Sequence, residues 1–240
     1  MKKHTGASDS LLQIGVLVGA LVLALLVGAG LILLARADPV TAYNAMFTGP
    51  VSGRYGITES LVKATPLLLI GLGIIISFRS GILNIGGEGQ MIAGSLAGAA
   101  VALALPNWPA AALLPLTMVV GVLAGAVWGG IAGWLKARLS VNEILSTVML
   151  NQIAFQLNLY LIRGPMIDPQ EVAYGTGCPQ TALLPRSIWL PRIIRGTRFH
   201  WGLVIAVAFA VLVYIFLWRT IIGYRMRASG AGPQAARAAG

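Results

Sequence analysis

The sequence predicts an all-α, polytopic bundle of membrane-spanning helices, with about six spans in one transmembrane domain covering residues 1–240. Composition is the first reason: the 240 residues are 57% hydrophobic and only 10% charged, whereas a soluble domain carries about 25% charged residues. The spacing of apolar runs is the second, because six segments approach the ~20 residues that cross a bilayer. A soluble fold is excluded. The net charge of +10 therefore indicates anchoring at a membrane surface rather than nucleic-acid binding.

The predicted spans follow one another with polar or Pro-rich stretches between them. They cover residues 11–35, 57–78, 91–105, 110–135, 144–162 and 202–218. The first run is about 25 residues long, against about 7–15 for the apolar part of a signal peptide. We therefore interpret it as an uncleaved span, although "ARAD" at residues 35–38 is typical of a signal-peptidase site. The third run is short and takes residues from its flanks.

The distribution of Lys and Arg in the short loops predicts the orientation. Lys2 and Lys3 precede the first span, and further basic residues lie in the short loops that would share their side. This bias favours a cytoplasmic N-terminus, and six crossings then return the C-terminus to the cytoplasm. Residues 163–201 lack the apolar length to cross and are predicted to form an external loop.

Glycines are spaced four residues apart on the fourth span. Gly121, Gly125, Gly129 and Gly133 share one helix face. Gly94 and Gly98 repeat the spacing on the third span, and Gly15 and Gly19 repeat it on the first. Small residues at this spacing let membrane helices approach closely. We assign these glycines to helix packing and to no chemistry.

The stretch "SGILNIGGEGQMI" at residues 80–92 places polar and glycine residues between two apolar runs. It predicts a helix break or re-entrant turn followed by a helix start. There Glu88 suits the positive dipole end and Asn84 can satisfy freed backbone groups. Two interpretations remain open. The stretch is either a packing and folding device or a gate near a transport path, formed by Asn84, Gly86, Gly87, Glu88, Gly89 and Gln90.

The fifth predicted span is the most polar. At 100° per residue, Glu143, Thr147, Asn151 and Asn158 fall within an arc of about 80°. Thr147, Asn151 and Asn158 are candidates to line the path of a hydrophilic solute. Hydrogen bonding between helices explains the same pattern equally well. Glu143 is better explained as an interfacial residue at the helix start.

Several motifs are missing from the sequence. There is no G-x-x-x-x-G-K-[ST] phosphate loop and no Ser/His/Asp set, and Cys178 is the only cysteine. We therefore expect no catalytic residue, no metal site and no cofactor bound by this chain. One alternative is an ion-coupled secondary transporter or channel that uses Glu88, Glu143 and Lys63 as coupling groups.

Three blocks together resemble a known family. "GILNIGGEGQ" (81–90), "NEILSTVMLNQIA" (142–154) and "GYRMRASGAGPQAARAAG" (223–240) occur in the same order in permease subunits of bacterial ABC importers of the branched-chain amino acid and ribose class. The likeness is greatest to nucleoside or simple-sugar permeases that work with basic-membrane-protein type lipoproteins. Family members usually continue for several more helices, so the resemblance implies an N-terminal piece of a longer permease.

The resemblance also implies a function and partners. The chain would be a non-enzymatic, multi-pass permease of the bacterial inner membrane that takes up a nucleoside or simple sugar. It would work with a second permease subunit, an extracytoplasmic solute-binding lipoprotein and a cytoplasmic ATPase subunit that holds ATP and Mg. Residues 223–240 would form the cytoplasmic coupling segment. A short helix over residues 233–239 would dock on the ATPase, and Gly230 would permit the chain to turn away from the sixth span. The coupling residues would be Gly230, Pro233, Ala235, Ala236 and Arg237.

Overall fold

A computed structural model describes residues 7–175 and 177–238 of the chain. This part contains ten α-helices and no β-strand, which confirms the all-α prediction. The helices are α1 Ala7–Leu34, α2 Pro39–Thr48, α3 Gly53–Arg79, α4 Gly87–Ala104, α5 Ala110–Leu139, α6 Glu143–Arg163, α7 Pro169–Tyr174, α8 Gly202–Arg219, α9 Ile221–Ala231 and α10 Pro233–Ala238.

Five helices in the described residues are long and apolar enough to cross a membrane: Leu12–Leu34 within α1, together with α3, α5, α6 and α8. They correspond to five of the six predicted spans. The remaining predicted span, residues 91–105, is also helical, as α4. However, α4 begins four residues earlier, so its first turn includes Glu88 and Gln90. With this polar first turn, α4 is not among the five.

The chain divides into two compact units, residues 1–60 and 61–240. In the first unit, Asp38 caps α2 by accepting hydrogen bonds from the backbone N–H groups of Val40 and Thr41, each at 3.1 Å. The Thr41 hydroxyl also donates to this carboxylate. The Thr41 hydroxyl and then the two backbone bonds hold the pKa of Asp38 below its ordinary value. The charged cap suits the positive end of the helix dipole.

The second unit contains a close pair of helices, α4 and α5, which meet along the glycine stripe. A Cβ on Gly94 would lie 2.8 Å from the carbonyl oxygen of Gly121, and one on Gly125 would lie 3.1 Å from that of Gln90. A Cβ on Gly129 would lie 2.8 Å from Nε2 of Gln90. The packing prediction is therefore confirmed for three of the four glycines on α5. Gly133 has no such neighbour within 4 Å in the described part of the chain.

A tight turn connects α5 to α6. Ser140 adopts a left-handed conformation with φ 54°, and the side chain of Asn142 then accepts hydrogen bonds from the backbone N–H groups of Ile144 and Leu145. Lys136 and Glu143 form an ion pair of 2.6 Å across the turn. Each charge also faces the helix end whose dipole it complements. Glu143 therefore lies at the helix start, as predicted.

Residues 163–201 contain little regular structure beyond α7. A single 3-10 turn over Arg186–Ile188 packs against α5, and Arg192 forms an isolated antiparallel bridge with His200. Cys178 is exposed. The external position of this loop stays a prediction.

An extended residue, Thr220, separates α8 from the C-terminal helices. The Thr220 hydroxyl accepts a hydrogen bond of 3.0 Å from the backbone N–H of Gly223, which starts α9. The predicted helix beginning at Pro233 is present as α10, whereas Ala239 and Gly240 lie outside the described residues. The predicted role of Gly230 as a turn is wrong. Gly230 lies within α9, and the chain turns at Gly232, which is extended.

Candidate functional site

The break between α3 and α4 is present where the sequence predicts it. α3 ends at Arg79, Gly81 adopts a φ of +77°, and α4 begins at Gly87. Within the break, Oδ1 of Asn84 accepts a hydrogen bond of 2.8 Å from the backbone N–H of Gly86. Asn84 therefore satisfies a backbone donor freed by the break, as expected for a polar residue beside interrupted helix.

Asn151 of α6 caps the N-terminus of α4, although it lies far from α4 in the sequence. The first N–H groups of a helix lack partners within it and are usually capped by the residue that precedes it. Here that residue is Gly86, which has no side chain. Oδ1 of Asn151 instead accepts a hydrogen bond of 2.9 Å from the backbone N–H of Gly89, and its Nδ2 donates to the carbonyl of Ile85 at 3.1 Å. The side-chain amide of Asn151 thus links Ile85, before the start of α4, and Gly89, within its first turn, to α6.

Two buried glycines permit this close approach. A Cβ on Gly86 would lie 3.0 Å from Oδ1 of Asn84 and 3.2 Å from Cβ of Thr147. A Cβ on Gly89 would lie 2.8 Å from Oδ1 of Asn151 and 3.0 Å from Nε1 of Trp128. Neither glycine has positive φ, so close approach rather than backbone freedom explains their presence.

Gly87, Glu88 and Gln90 differ in their surroundings. A Cβ on Gly87 would lie 2.6 Å from the end of the Ile70 side chain. Glu88 lies in the first turn of α4 as predicted, but it is exposed and forms no ion pair within the described part of the chain. Gln90 is half-buried, with Nε2 at 3.5 Å from Oδ1 of Asn84. The break therefore combines a hydrogen-bonded Asn84 with one exposed carboxylate.

The polar face of α6 consists of Thr147, Asn151 and Asn158, and these three residues lie in different environments. Thr147 is buried at 2% exposure, and its hydroxyl donates to the carbonyl of Glu143 at 2.7 Å. Asn151 is committed to the start of α4. Asn158 is half-buried, and its side chain makes no hydrogen bond among the residues that the structure describes. Sequence periodicity placed these three residues on one face but could not separate these environments.

Two cavities flank the break. One of about 160 Å³ lies between the break and the α5–α6 turn, and it is bordered by Asn84, Thr147, Lys136 and Glu143. The other, of about 300 Å³, lies between α3 and α4, with Asn84 and Gln90 as its polar members. Asn84 borders both cavities. A water molecule occupies about 30 Å³, so either cavity has room for several.

No cluster of three or more His, Cys, Asp or Glu residues that could hold a metal occurs in the described ranges, 7–175 and 177–238.

Comparison with known proteins identifies the fold family. Residues 56–240 match the family described as the permease component of branched-chain amino acid transport systems. The chain belongs to this permease family. The match includes the break, the polar face of α6 and the C-terminal helices, so the permease family and its multi-pass membrane character agree with the resemblance and with the observed helices. No solved structure matches the chain.

Several curated permeases are similar to the chain. The glucose ABC transporter permease protein TsgB13 of Haloferax volcanii is 38% identical over 225 residues, covering 90% of this chain and 58% of that protein. The guanosine permease NupP of Bacillus subtilis is 34% identical, and the nucleoside permease NupB of Lactococcus lactis is 29% identical. Each of these two alignments covers 92% of this chain and 62% of the relative. The chain therefore spans about three-fifths of the length of these relatives.

Proposed function

We propose that this chain forms the translocation path of an ATP-driven importer for a nucleoside or a simple sugar. The observation that carries the proposal is the family match over residues 56–240. It is supported by relatives whose names specify guanosine, nucleoside and glucose transport. These solutes carry several hydroxyl groups, and a nucleoside adds the nitrogen and carbonyl groups of its base. A path for them needs polar side chains within apolar helices.

The same proposal includes partners and a location. A separate cytoplasmic subunit hydrolyses ATP with Mg, and the chain itself is not an enzyme. A second permease subunit completes the path, and an extracytoplasmic lipoprotein delivers the solute. The assembly lies in a bacterial inner membrane. The names of the relatives as ABC transporter permeases support this arrangement.

Asn158 is the residue of α6 that we assign most directly to the solute path. Its amide is half-buried and keeps its hydrogen-bonding groups available within this chain. Thr147 and Asn151 share the face but are engaged by α6 and by the start of α4. We place them at the border of the path, where the break with its exposed Glu88 acts as a gate.

We assign coupling to the ATPase to the C-terminal segment. α10 has only six residues, and a helix of this length is not stable alone in water. A partner surface would order it, and small side chains at Ala235 and Ala236 would permit close contact. Pro233 starts the helix, Arg237 contributes a positive charge near its end, and Gly230 holds the preceding helix in place.

The transport mechanism is tested in membrane vesicles containing the permease and its partner subunits. We expect uptake of labelled guanosine or glucose to require ATP and to persist when a protonophore collapses the proton gradient. Uptake that needs the gradient and not ATP would instead establish the ion-coupled alternative. Uptake of neither solute by vesicles with verified assembly would contradict the proposed solute class.

Two substitutions test the roles assigned to Asn158 and to α10. Asn158→Leu is expected to lower uptake at least several-fold while the permease remains folded and bound to its ATPase.

Ala236→Glu is expected to reduce co-purification of the ATPase, because burying a charge in a contact surface is costly. Ala173→Glu on the exposed face of α7 is the matched control and should leave association unchanged. Normal association in the Ala236→Glu variant would exclude α10 as the coupling element.

A further inference from the structure

Two arginines converge on one tryptophan where α3 and α8 end. The guanidinium carbon of Arg79, the last residue of α3, lies 5.1 Å from the centre of the Trp218 ring. The guanidinium carbon of Arg227, from α9, lies 5.3 Å from the same centre. The two cationic groups are therefore within about 10 Å of each other. Tyr214 stacks on Trp218 with ring centres 5.6 Å apart.

A close contact between Gly230 and the end of α3 positions Arg227 beside the Trp218 ring. A Cβ on Gly230 would collide with the carbonyl oxygen of Arg79 and would lie 2.8 Å from the backbone N of Gly81. Any larger residue would push α9 away from the end of α3. Arg227 lies three residues before Gly230 in the same helix and thus almost one turn away. The close contact at Gly230 therefore holds the Arg227 side chain against Trp218.

Neither arginine is neutralised by a carboxylate in residues 7–175 and 177–238. Neither guanidinium forms an ion pair with a carboxylate among the described residues. Nε of Arg227 is buried and finds no hydrogen-bond partner among the residues that the structure describes. A buried donor without an acceptor, beside a second unpaired cation, is costly unless an anion binds there.

An apolar groove runs from this cluster along the two helices. Its volume is about 370 Å³, far more than the roughly 30 Å³ of one water molecule. All of its lining residues belong to α3 or α8, both candidate membrane spans. Apart from Arg79 and the polar tips of the two aromatic rings, the lining is aliphatic or phenyl: Leu72, Ile75, Phe78, Ala210, Val213 and Leu217.

We propose that this site binds an anionic phospholipid. The phosphate of the headgroup contacts Arg79 and Arg227, Trp218 and Tyr214 lie at the level of the membrane interface, and an acyl chain occupies the groove. Basic pockets between helices at a membrane surface select anionic headgroups, and Arg binds phosphate through charge-assisted hydrogen bonds. Trp and Tyr favour the same interface.

The combination of features identifies a lipid rather than a soluble anion. A free phosphate would use the two charges but not the groove, and an apolar protein segment would use the groove but leave the charges unpaired. An anionic lipid satisfies both, and both lie at the end of membrane-spanning helices. The site adjoins the break at Gly81 but includes no residue of the polar face of α6, so it does not depend on the proposed solute.

The proposal is tested by native mass spectrometry of the chain purified from membranes and exposed to phosphatidylglycerol or phosphatidylcholine. We expect phosphatidylglycerol to be retained preferentially. Each basic residue near a lipid surface contributes about 1 kcal/mol, so Arg79→Gln and Arg227→Gln should each weaken retention about fivefold and the double variant roughly 25-fold. The control replaces two other arginines near the end of α8, Arg219→Gln and Arg225→Gln, and should retain the lipid.

A second variant tests the groove without changing charge. Ala210→Trp fills part of the cavity and should also reduce phosphatidylglycerol retention, with unchanged elution in size-exclusion chromatography. Equal losses in the control pair would show a general effect of charge and overturn the site. Undiminished retention in the double variant would do the same. If inorganic phosphate at millimolar concentration displaces the lipid completely and Ala210→Trp has no effect, the site binds free anions and the proposal fails.

Discussion

Replacing Asn151 with leucine should destabilise the junction between α4 and α6. The substitution keeps side-chain size but removes the acceptor for the Gly89 amide and the donor to the Ile85 carbonyl. Gly89 is buried, whereas Ile85 is exposed, so only the Gly89 amide loses all access to a replacement partner. The leucine variant should therefore leave one buried backbone donor unpaired.

The size of the effect follows from the two bonds. Hydrogen bonds between membrane helices average about 0.6 kcal/mol, so losing both gives a lower limit near 1 kcal/mol. An unpaired buried donor costs about 1–3 kcal/mol, which raises the upper limit to about 4 kcal/mol. Asn151→Asp keeps the acceptor for Gly89 and should lie between wild type and Asn151→Leu.

The free energy of unfolding is measured by titrating the purified chain in detergent micelles with sodium dodecyl sulfate and following helicity by circular dichroism. Asn158→Leu is the matched control, because it removes an asparagine seven residues further along α6 that makes no side-chain hydrogen bond among the described residues. It should change stability by less than about 0.5 kcal/mol. Equal stability of the Asn151→Leu and Asn158→Leu variants would refute the capping role of Asn151.

Three further predictions concern helix packing at Gly89, the membrane topology of the chain and the Asp38 cap on α2. Gly89→Ala should cost about 1–3 kcal/mol in the same assay because the methyl group would overpack the junction, whereas Gly130→Ala, with no neighbour within 4 Å, should be neutral or stabilising. Cys178 should react with a membrane-impermeant thiol reagent added outside, and a cysteine at Ser229 in a Cys178→Ala background should not; the reverse pattern would invert the predicted topology. Hydrogen bonds, chiefly from a threonine hydroxyl, lower the pKa of Asp38, so its carboxyl carbon should titrate in NMR with a midpoint below 3.8. Its contribution to stability is then complete above its unfolded-state pKa and is lost as the pH falls through the folded-state value; a midpoint above 3.8 would contradict the cap.

The sequence predicted the helices well because apolar length determines them directly. Five of the predicted spans match helices to within a few residues, and the break at residues 80–86 followed from its glycines and Asn84. α4 was harder to delimit. Its first turn contains Glu88 and Gln90, and it is contacted by Asn151 of α6 and by glycines of α5, which apolar length alone does not reveal.

The roles of individual residues were less predictable, because they depend on contacts distant in sequence. Periodicity grouped Thr147, Asn151 and Asn158, but it contains no information on which neighbour each one meets. Gly230 was predicted to be a turn, since glycine is common at turns. In the structure it lies within α9, and its contact is with the end of α3, about 150 residues earlier. Only the arrangement of helices could reveal that contact or the meeting of Arg79 with Arg227.

The remote cap on α4 has a consequence for biosynthesis. Asn151 follows Gly89 by 62 residues, so the ribosome finishes α4 well before it makes the residue that satisfies the start of that helix. Until then, the Gly89 amide needs water, which is present at the membrane surface and in the insertion channel but not in the lipid interior. α4 should therefore remain at a hydrated position until α5 and α6 have been made, and the three helices should enter the bilayer as one unit.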